Sequence, residues 1–160
     1  MGKKATKAAD NMYCIARYDA AQHNEAFSSR EKTSELLNID RTRLANIELG
    51  NLIPYPEEVL TMSKNYNTPE LCNQHCSEQC PIGRHTISKV IIDDFDRLSL
   101  KVLGSLQDID NIRLSLIAIS EDGQIDDWEK EDFKNILDAL DKISTNANAL
   151  KIWAQKNVKF

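Results

Sequence analysis

Glycine, proline and long apolar runs are scarce in this chain of 160 residues, and each scarcity excludes a class of structure. Only five glycines and four prolines occur, and alternation of β-branched residues is nearly absent, so an all-α protein is expected. The longest strictly apolar run of the C-terminal half covers residues 116–119, far fewer than a membrane-spanning helix requires. No apolar signal-peptide core follows the N-terminal lysines. We therefore expect a cytoplasmic protein without a membrane partner.

The net charge of −5 is unfavourable for a protein that binds nucleic acid. Residues 1–71 hold nine lysines and arginines against ten aspartates and glutamates, and residues 72–160 hold eleven against fifteen. Because only a surface that faces DNA must be positive, the placement of the basic residues matters more than their sum. A shared basic face is expected to contain Lys3, Lys4, Lys7, Arg17, Arg30, Arg41 and Arg43. Residues 1–10 are interpreted as a flexible basic arm, and a solvated surface of mixed charge is the alternative.

The segment 29–54 predicts two short helices separated by a tight turn. Its apolar residues form a small set that can fix the two helices at a steep angle: Leu36, Leu37, Ile39, Leu44 and Ile47. The second helix carries polar side chains on its outer side: Arg41, Thr42, Arg43 and Asn46. A rigid corner with such a helix is suited to reading base edges in the major groove of DNA.

This segment resembles the helix-turn-helix of the xenobiotic-response-element (XRE) family of bacterial and phage regulators, which have the lambda-repressor-like fold. Arg30 opens the first helix of the motif, and Ser34 is the small residue near its middle. Asp40 ends the turn and caps the second helix, and Glu-Leu-Gly at 48–50 with Pro54 closes the motif. The similarity covers roughly residues 12–71 and implies a five-helix DNA-binding domain. Thr-Ser at 33–34 replaces a common Leu-Ala pair, and the loop at 51–53 is neutral where it is often basic.

The resemblance also implies roles for individual side chains. Arg41, Thr42 and Asn46 fall where the family's base-reading residues lie, and arginine suits guanine while asparagine suits adenine. Arg30 and Arg43 are assigned to phosphate contacts. We interpret Glu48 as a structural residue that holds the corner between the third and fourth helices.

Three cysteines, Cys72, Cys76 and Cys80, are spaced four residues apart and would form one stripe on a helix. Zinc knuckles use tighter spacing in two pairs, and an iron–sulfur cluster would need a fourth ligand. Metal binding or redox sensing therefore stays the lesser alternative, and packing of buried thiols is the main interpretation. No metal and no cofactor is expected.

The C-terminal region, residues 84–160, shows the apolar spacing of amphipathic helices. The residues Ile87, Ile91, Phe95, Leu98 and Val102 predict a helix that reaches about Gln107. A second helix follows over 112–119, and a last one runs from Asp126 to Trp153. These helices are expected to form a hairpin or bundle that dimerises the chain or receives a signal, behind a helix-turn-helix domain at 11–83.

The leading hypothesis is a sequence-specific transcriptional regulator, most simply a repressor, that binds double-stranded DNA as a homodimer. The alternative is an interaction module, antitoxin-like or adaptor, whose degenerate helix-turn-helix no longer reads DNA. An enzyme is not expected, because no nucleophile–base set or phosphate-binding glycine loop is found.

Overall fold

The structure, a computed structural model, describes residues 8–120 and 123–159, and the regular elements within these ranges are helices. The predicted all-α class is confirmed. Lys3, Lys4 and Lys7, and with them most of the predicted basic arm, lie outside the described residues. The described residues form two compact units, the first ending at Lys89 and the second beginning at Val90. Among the described residues, no helix has both the length and the apolar character needed to cross a bilayer.

The helices of the N-terminal unit are short, with at most 11 residues each. In chain order they are α1 (Met12–Ala21), a 3-10 turn (Glu25–Ser28), α2 (Arg30–Leu37), α3 (Arg41–Glu48), α4 (Pro56–Tyr66), α5 (Glu70–Glu78) and α6 (Gly83–Thr86). Side-chain caps start several of these helices, as the sequence suggests. Asp40 accepts a hydrogen bond from the backbone N–H of Arg43 at the start of α3, over 2.9 Å. Ser29 caps α2 in the same way, and Pro56 occupies the first position of α4.

The core of the N-terminal unit is formed by apolar side chains of α1 to α5. Its buried members are Tyr13, Ala16, Ala20, Phe27, Leu37, Ile39, Leu44, Ile47, Val59, Met62, Tyr66 and Leu71. Leu36 does not belong to it, contrary to the prediction, and is half exposed. Neighbouring residues of a helix point about 100° apart, so a helix that buries Leu37 directs the side chain of Leu36 away from the core.

The C-terminal unit is built around one long helix, against which two shorter helices pack. Its helices are α7 (Phe95–Ser105), α8 (Ile109–Ile119) and the long α9 (Lys130–Asn157), and both α7 and α8 pack against α9. Its core contains Val90, Leu98, Ala149 and Ile152. The prediction that a helix begins near Ile87 is wrong, because residues 87–94 are not helical. The β-branched run at 90–92 disfavours a helix, and Val90 is buried as part of this non-helical segment.

Candidate functional site

The corner between α2 and α3 is fixed by its own backbone. Asn38, which ends α2, is left-handed with φ of 52°, a conformation that asparagine tolerates better than most residues. The backbone N–H of Ile39 then donates to the carbonyl oxygen of Ser34 over 3.1 Å. Leu44 and Ile47 of α3 are completely buried. The position of α3 is therefore determined by packing on its inner side.

The three predicted base-reading residues lie on α3. Arg41 and Thr42 are exposed at its N-terminal end, and Asn46 is half buried one turn further on. The side-chain amide of Asn51 donates to the Asn46 side-chain oxygen over 3.2 Å, which orients that amide. The outer side of α3 thus presents a guanidinium, a hydroxyl and an oriented amide.

Arg43, assigned above to a phosphate contact, is engaged within the protein. Its Nε and Nη2 donate to the two carboxylate oxygens of Glu58 over 2.5 and 2.8 Å, and its guanidinium lies 4.2 Å from the centre of the Tyr55 ring. These hydrogen bonds, together with one from the Tyr55 backbone, hold the pKa of Glu58 below its ordinary value. In this arrangement Arg43 joins α3 to α4, and its charge is compensated.

Arg30 is likewise paired, since its Nε donates to Oε2 of Glu48 over 2.6 Å while about a third of its side chain stays exposed. Both residues predicted to contact phosphates therefore form ion pairs with carboxylates of the same unit. Neither pairing was expected from the sequence, because both partners lie more than a helix turn away along the chain. The capping pattern at 55–58, in which Glu58 accepts from the backbone N–H of Tyr55, was the one local sign that Glu58 is held in place.

Glu48 has a different structural role from the predicted one. It is fully buried and accepts hydrogen bonds from Nε and Nη2 of Arg17 over 2.5 and 3.0 Å. Arg17 is 2 % exposed and also donates to the carbonyl oxygen of Phe27 over 2.8 Å. Glu48 thus joins α3 to α1 and, through Arg30, to α2, instead of holding the corner with α4.

Arg17 must also be removed from the expected DNA-facing set, because it points into the core. Burial lowers the pKa of Arg17, but the hydrogen bonds and the charge of Glu48 raise it more, so the net pKa lies above its ordinary value. The guanidinium therefore remains charged and depends on Glu48 for compensation. This pair could not be predicted from the sequence, because its members are separated by 31 residues.

None of the four cysteines forms a disulfide bond, and Cys14 is buried whereas the three α5-region cysteines are partly exposed. Within the described ranges, no three His, Cys, Asp or Glu side chains are grouped so that they could hold a metal ion. The pKa of Cys76 is raised, chiefly by burial and further by its neighbours Cys80 and Cys72. A raised pKa keeps this thiol protonated, and a protonated thiol is a poor metal ligand and a poor nucleophile.

The surface around α3 also carries apolar side chains that the sequence analysis did not single out. Leu52, Ile53, Tyr55 and Leu60 are all well exposed on the loop after α3 and on α4. A neutral, apolar loop at this position is as compatible with a surface that contacts another protein as with one that contacts DNA. No protein-family profile matches this chain, and no curated protein and no solved structure shows significant similarity to it.

Proposed function

We propose that this protein is a sequence-specific DNA-binding transcriptional regulator of the cytoplasm, most simply a repressor, that acts as a dimer. The observation that carries the proposal is the contrast between the two sides of α3. Its inner side is locked by Leu44, Ile47 and Glu48, which are fully buried, whereas Arg41 and Thr42 are exposed. A helix held so firmly brings its outer side chains to a groove without losing further backbone entropy.

The exposed groups suit base edges of different kinds. Arg41 carries the fork of donors that matches O6 and N7 of guanine, and Asn46 carries the donor–acceptor pair that matches N6 and N7 of adenine. Thr42 can donate to a base or to a phosphate. The resemblance to the XRE family supports the same three positions as the reading residues.

The paired arginines modify the expected energetics. For Arg30 or Arg43 to contact a phosphate, the guanidinium must share or leave its carboxylate, Glu48 or Glu58. Each such contact therefore contributes less than that of an unpaired arginine. We expect modest affinity for non-specific DNA and a shallow dependence of binding on salt.

The test begins with selection of binding sites from random DNA, followed by affinity measurements on the selected site and on single-base variants. Arg41→Ala and Asn46→Ala should each lose about 1–3 kcal/mol of discrimination at particular base pairs. Arg30→Ala should weaken binding to all sequences alike. Lys64→Ala, an exposed substitution near the end of α4, is the matched control and should change neither quantity. Unchanged affinity and preference in all three test variants would contradict the assignment of α3 as the reading helix.

An interaction module that does not read DNA is the second candidate, and the exposed apolar residues Leu52, Ile53, Tyr55 and Leu60 favour it. Ile53→Lys separates the two candidates. If the loop lies beside the DNA backbone, the added charge raises DNA affinity and steepens its salt dependence. If the loop contacts a protein, the wild type and the variant both fail to select any DNA sequence.

A further inference from the structure

The turn after α3 places Asn51 beside Asn46, one of the three predicted base-reading residues. Gly50 is left-handed, with φ of 75°, and its backbone N–H donates to the carbonyl oxygen of Ile47 over 3.0 Å. The backbone N–H of Asn51 donates to the carbonyl oxygen of Asn46 over 2.9 Å. These two hydrogen bonds form the Schellman motif, which commonly ends a helix at a left-handed glycine. The chain that leaves α3 therefore turns back over Asn46.

The last turn of α3 is also held by α1. The side-chain amide of Asn11 donates to the carbonyl oxygen of Ile47 over 2.9 Å, while its side-chain oxygen caps the start of α1. The backbone around Asn46 and Asn51 is thus fixed by the turn and by a neighbouring helix. A hydrogen bond between their side chains therefore has little backbone entropy to overcome.

The side chains of Asn46 and Asn51 are joined directly. Nδ2 of Asn51 donates to Oδ1 of Asn46 over 3.2 Å. A carboxamide oxygen can accept two hydrogen bonds, so this contact leaves Oδ1 able to accept a second one. A flip of the Asn46 amide would bring its NH2 group against the NH2 group of Asn51 and break the contact. Asn51 therefore favours one of two orientations that are almost identical in shape.

We propose that Asn51 is a positioning residue that sets the base preference of Asn46. An asparagine amide reads adenine when its oxygen faces N6 and its NH2 group faces N7. The flipped amide presents its oxygen to N7, which is also an acceptor, and is rejected. The hydrogen bond from Asn51 selects one orientation before DNA binds, so Asn51 contributes to specificity without touching a base. This inference rests on the proposed function and adds a residue to it.

The expected effect is moderate and confined to one base pair. The net contribution of a hydrogen bond between neutral groups corresponds to a factor of about 2 to 10 in an equilibrium constant. On the DNA site that the wild type selects, Asn51→Ala should reduce the preference for the base pair read by Asn46 by about 2- to 10-fold. Preference at the base pair read by Arg41 should not change. A merely structural role for Asn51 would instead weaken binding to all sequences alike.

Asn51→Asp is the sharper variant, because aspartate has nearly the same shape but its carboxylate only accepts hydrogen bonds. It should attract the NH2 group of Asn46 and so reverse the amide, which lowers the preference for the original base pair below that of Asn51→Ala. The added charge also weakens binding to every sequence, so the readout is the ratio of affinities between sites. Asn51→Gln keeps an amide donor and should largely retain the wild-type preference.

Two controls isolate the contact. Asn65→Asp adds the same charge on α4, where the Asn65 amide is exposed and donates to the carbonyl oxygen of Thr61, and it should leave every base preference unchanged. The double variant Asn46→Ala with Asn51→Ala should have the same preference as Asn46→Ala alone, because no amide is left to orient. Additive losses of preference would overturn the inference.

A measurement without DNA separates this inference from the proposed function. In NMR relaxation of the full-length protein, the side-chain NH2 group of Asn46 should be more ordered in the wild type than in Asn51→Ala. Equal order in the two proteins would overturn the inference even if the protein reads DNA. Selection of no DNA sequence, with an Asn46 amide that Asn51 does order, would refute the proposed function rather than the contact between the two amides.

Discussion

The buried ion pair between Arg17 and Glu48 yields the strongest prediction about stability. Arg17→Met leaves the Glu48 carboxylate fully buried with Arg30 as its remaining cationic partner, and that partner is one-third exposed. Glu48→Leu leaves the Arg17 guanidinium buried without an anion. Removal of one member of a buried pair typically costs about 3–5 kcal/mol, because the other charge loses both water and its partner. A small domain has only about 5–15 kcal/mol of stability, so either substitution should consume a large share of it.

The assay is urea unfolding followed by two signals. Both tryptophans, Trp128 and Trp153, belong to the C-terminal unit, so tryptophan fluorescence reports on that unit and should be unchanged. Far-ultraviolet circular dichroism also reports on α1 to α6 and should show the loss. In thermal unfolding, 3 kcal/mol corresponds to a decrease in Tm of roughly 12–24 °C for a domain of this size.

The Arg43–Glu58 pair is the matched control, because its hydrogen bonds are as short but both side chains are partly exposed. Water solvates whichever charge is left, so Arg43→Met should cost clearly less than Arg17→Met. The double variant Arg17→Met with Glu48→Leu should recover much of the loss, because an apolar pair of similar volume leaves no buried unpaired charge and the side chain of Arg30, which also loses Glu48, is partly exposed to water. Equal costs for the two pairs, or a double variant as unstable as the sum of the single ones, would refute this account of the core.

Three further predictions follow from the same unit. Burial lowers the pKa of His75 in the folded protein, so below about pH 6.5 the unfolded chain binds more protons than the folded one. The free energy of unfolding should therefore be highest above about pH 6.5 and fall at lower pH. His75→Gln should remove this pH dependence in urea unfolding measured from about pH 8 to 5. Gly83→Ala should destabilise by about 1–3 kcal/mol in thermal unfolding, because its Cβ would lie 2.0 Å from a backbone oxygen of α5, whereas Gly104→Ala in open space should not destabilise the chain. Cys72→Ser and Cys80→Ser should cost little stability, and elemental analysis of protein prepared without chelators should show no stoichiometric zinc or iron; one metal per chain would contradict the packing interpretation.

Local signals in the sequence predict the local structure well. Asp40 and Pro56 begin α3 and α4 as expected, because caps and proline act on the residues next to them. The prediction of a helix from Ile87 is wrong because its evidence was local. Apolar residues spaced by three and four at 87–98 resemble a helical pattern, but Val90 packs in a core formed with distant residues, which the spacing cannot reveal. Distant packing therefore overrides the periodic pattern at this point.

The roles of the charged residues could not be predicted, because their partners are distant in sequence. Arg30 and Arg43 are basic and lie on the motif helices, which made phosphate contacts a reasonable interpretation. Each is nevertheless paired with a glutamate contributed by another helix. Composition counts the charges of a segment, whereas only the fold decides which of them are compensated.

This compensation also bears on why two copies would be needed. Under the proposed function, with Arg30 and Arg43 paired, one domain would rely on Arg41, Thr42 and Asn46 for most of its contact with DNA, and each good base contact discriminates by about 1–3 kcal/mol. Specific sites must usually exceed non-specific DNA by about 4–10 kcal/mol. Three such contacts sum to about 3–9 kcal/mol, which covers the lower part of that range, whereas the six contacts of two copies would exceed its lower limit even with each contact at its weakest. In the proposed dimer, the compensated arginines would therefore keep the affinity for non-specific DNA low while the second copy adds base contacts.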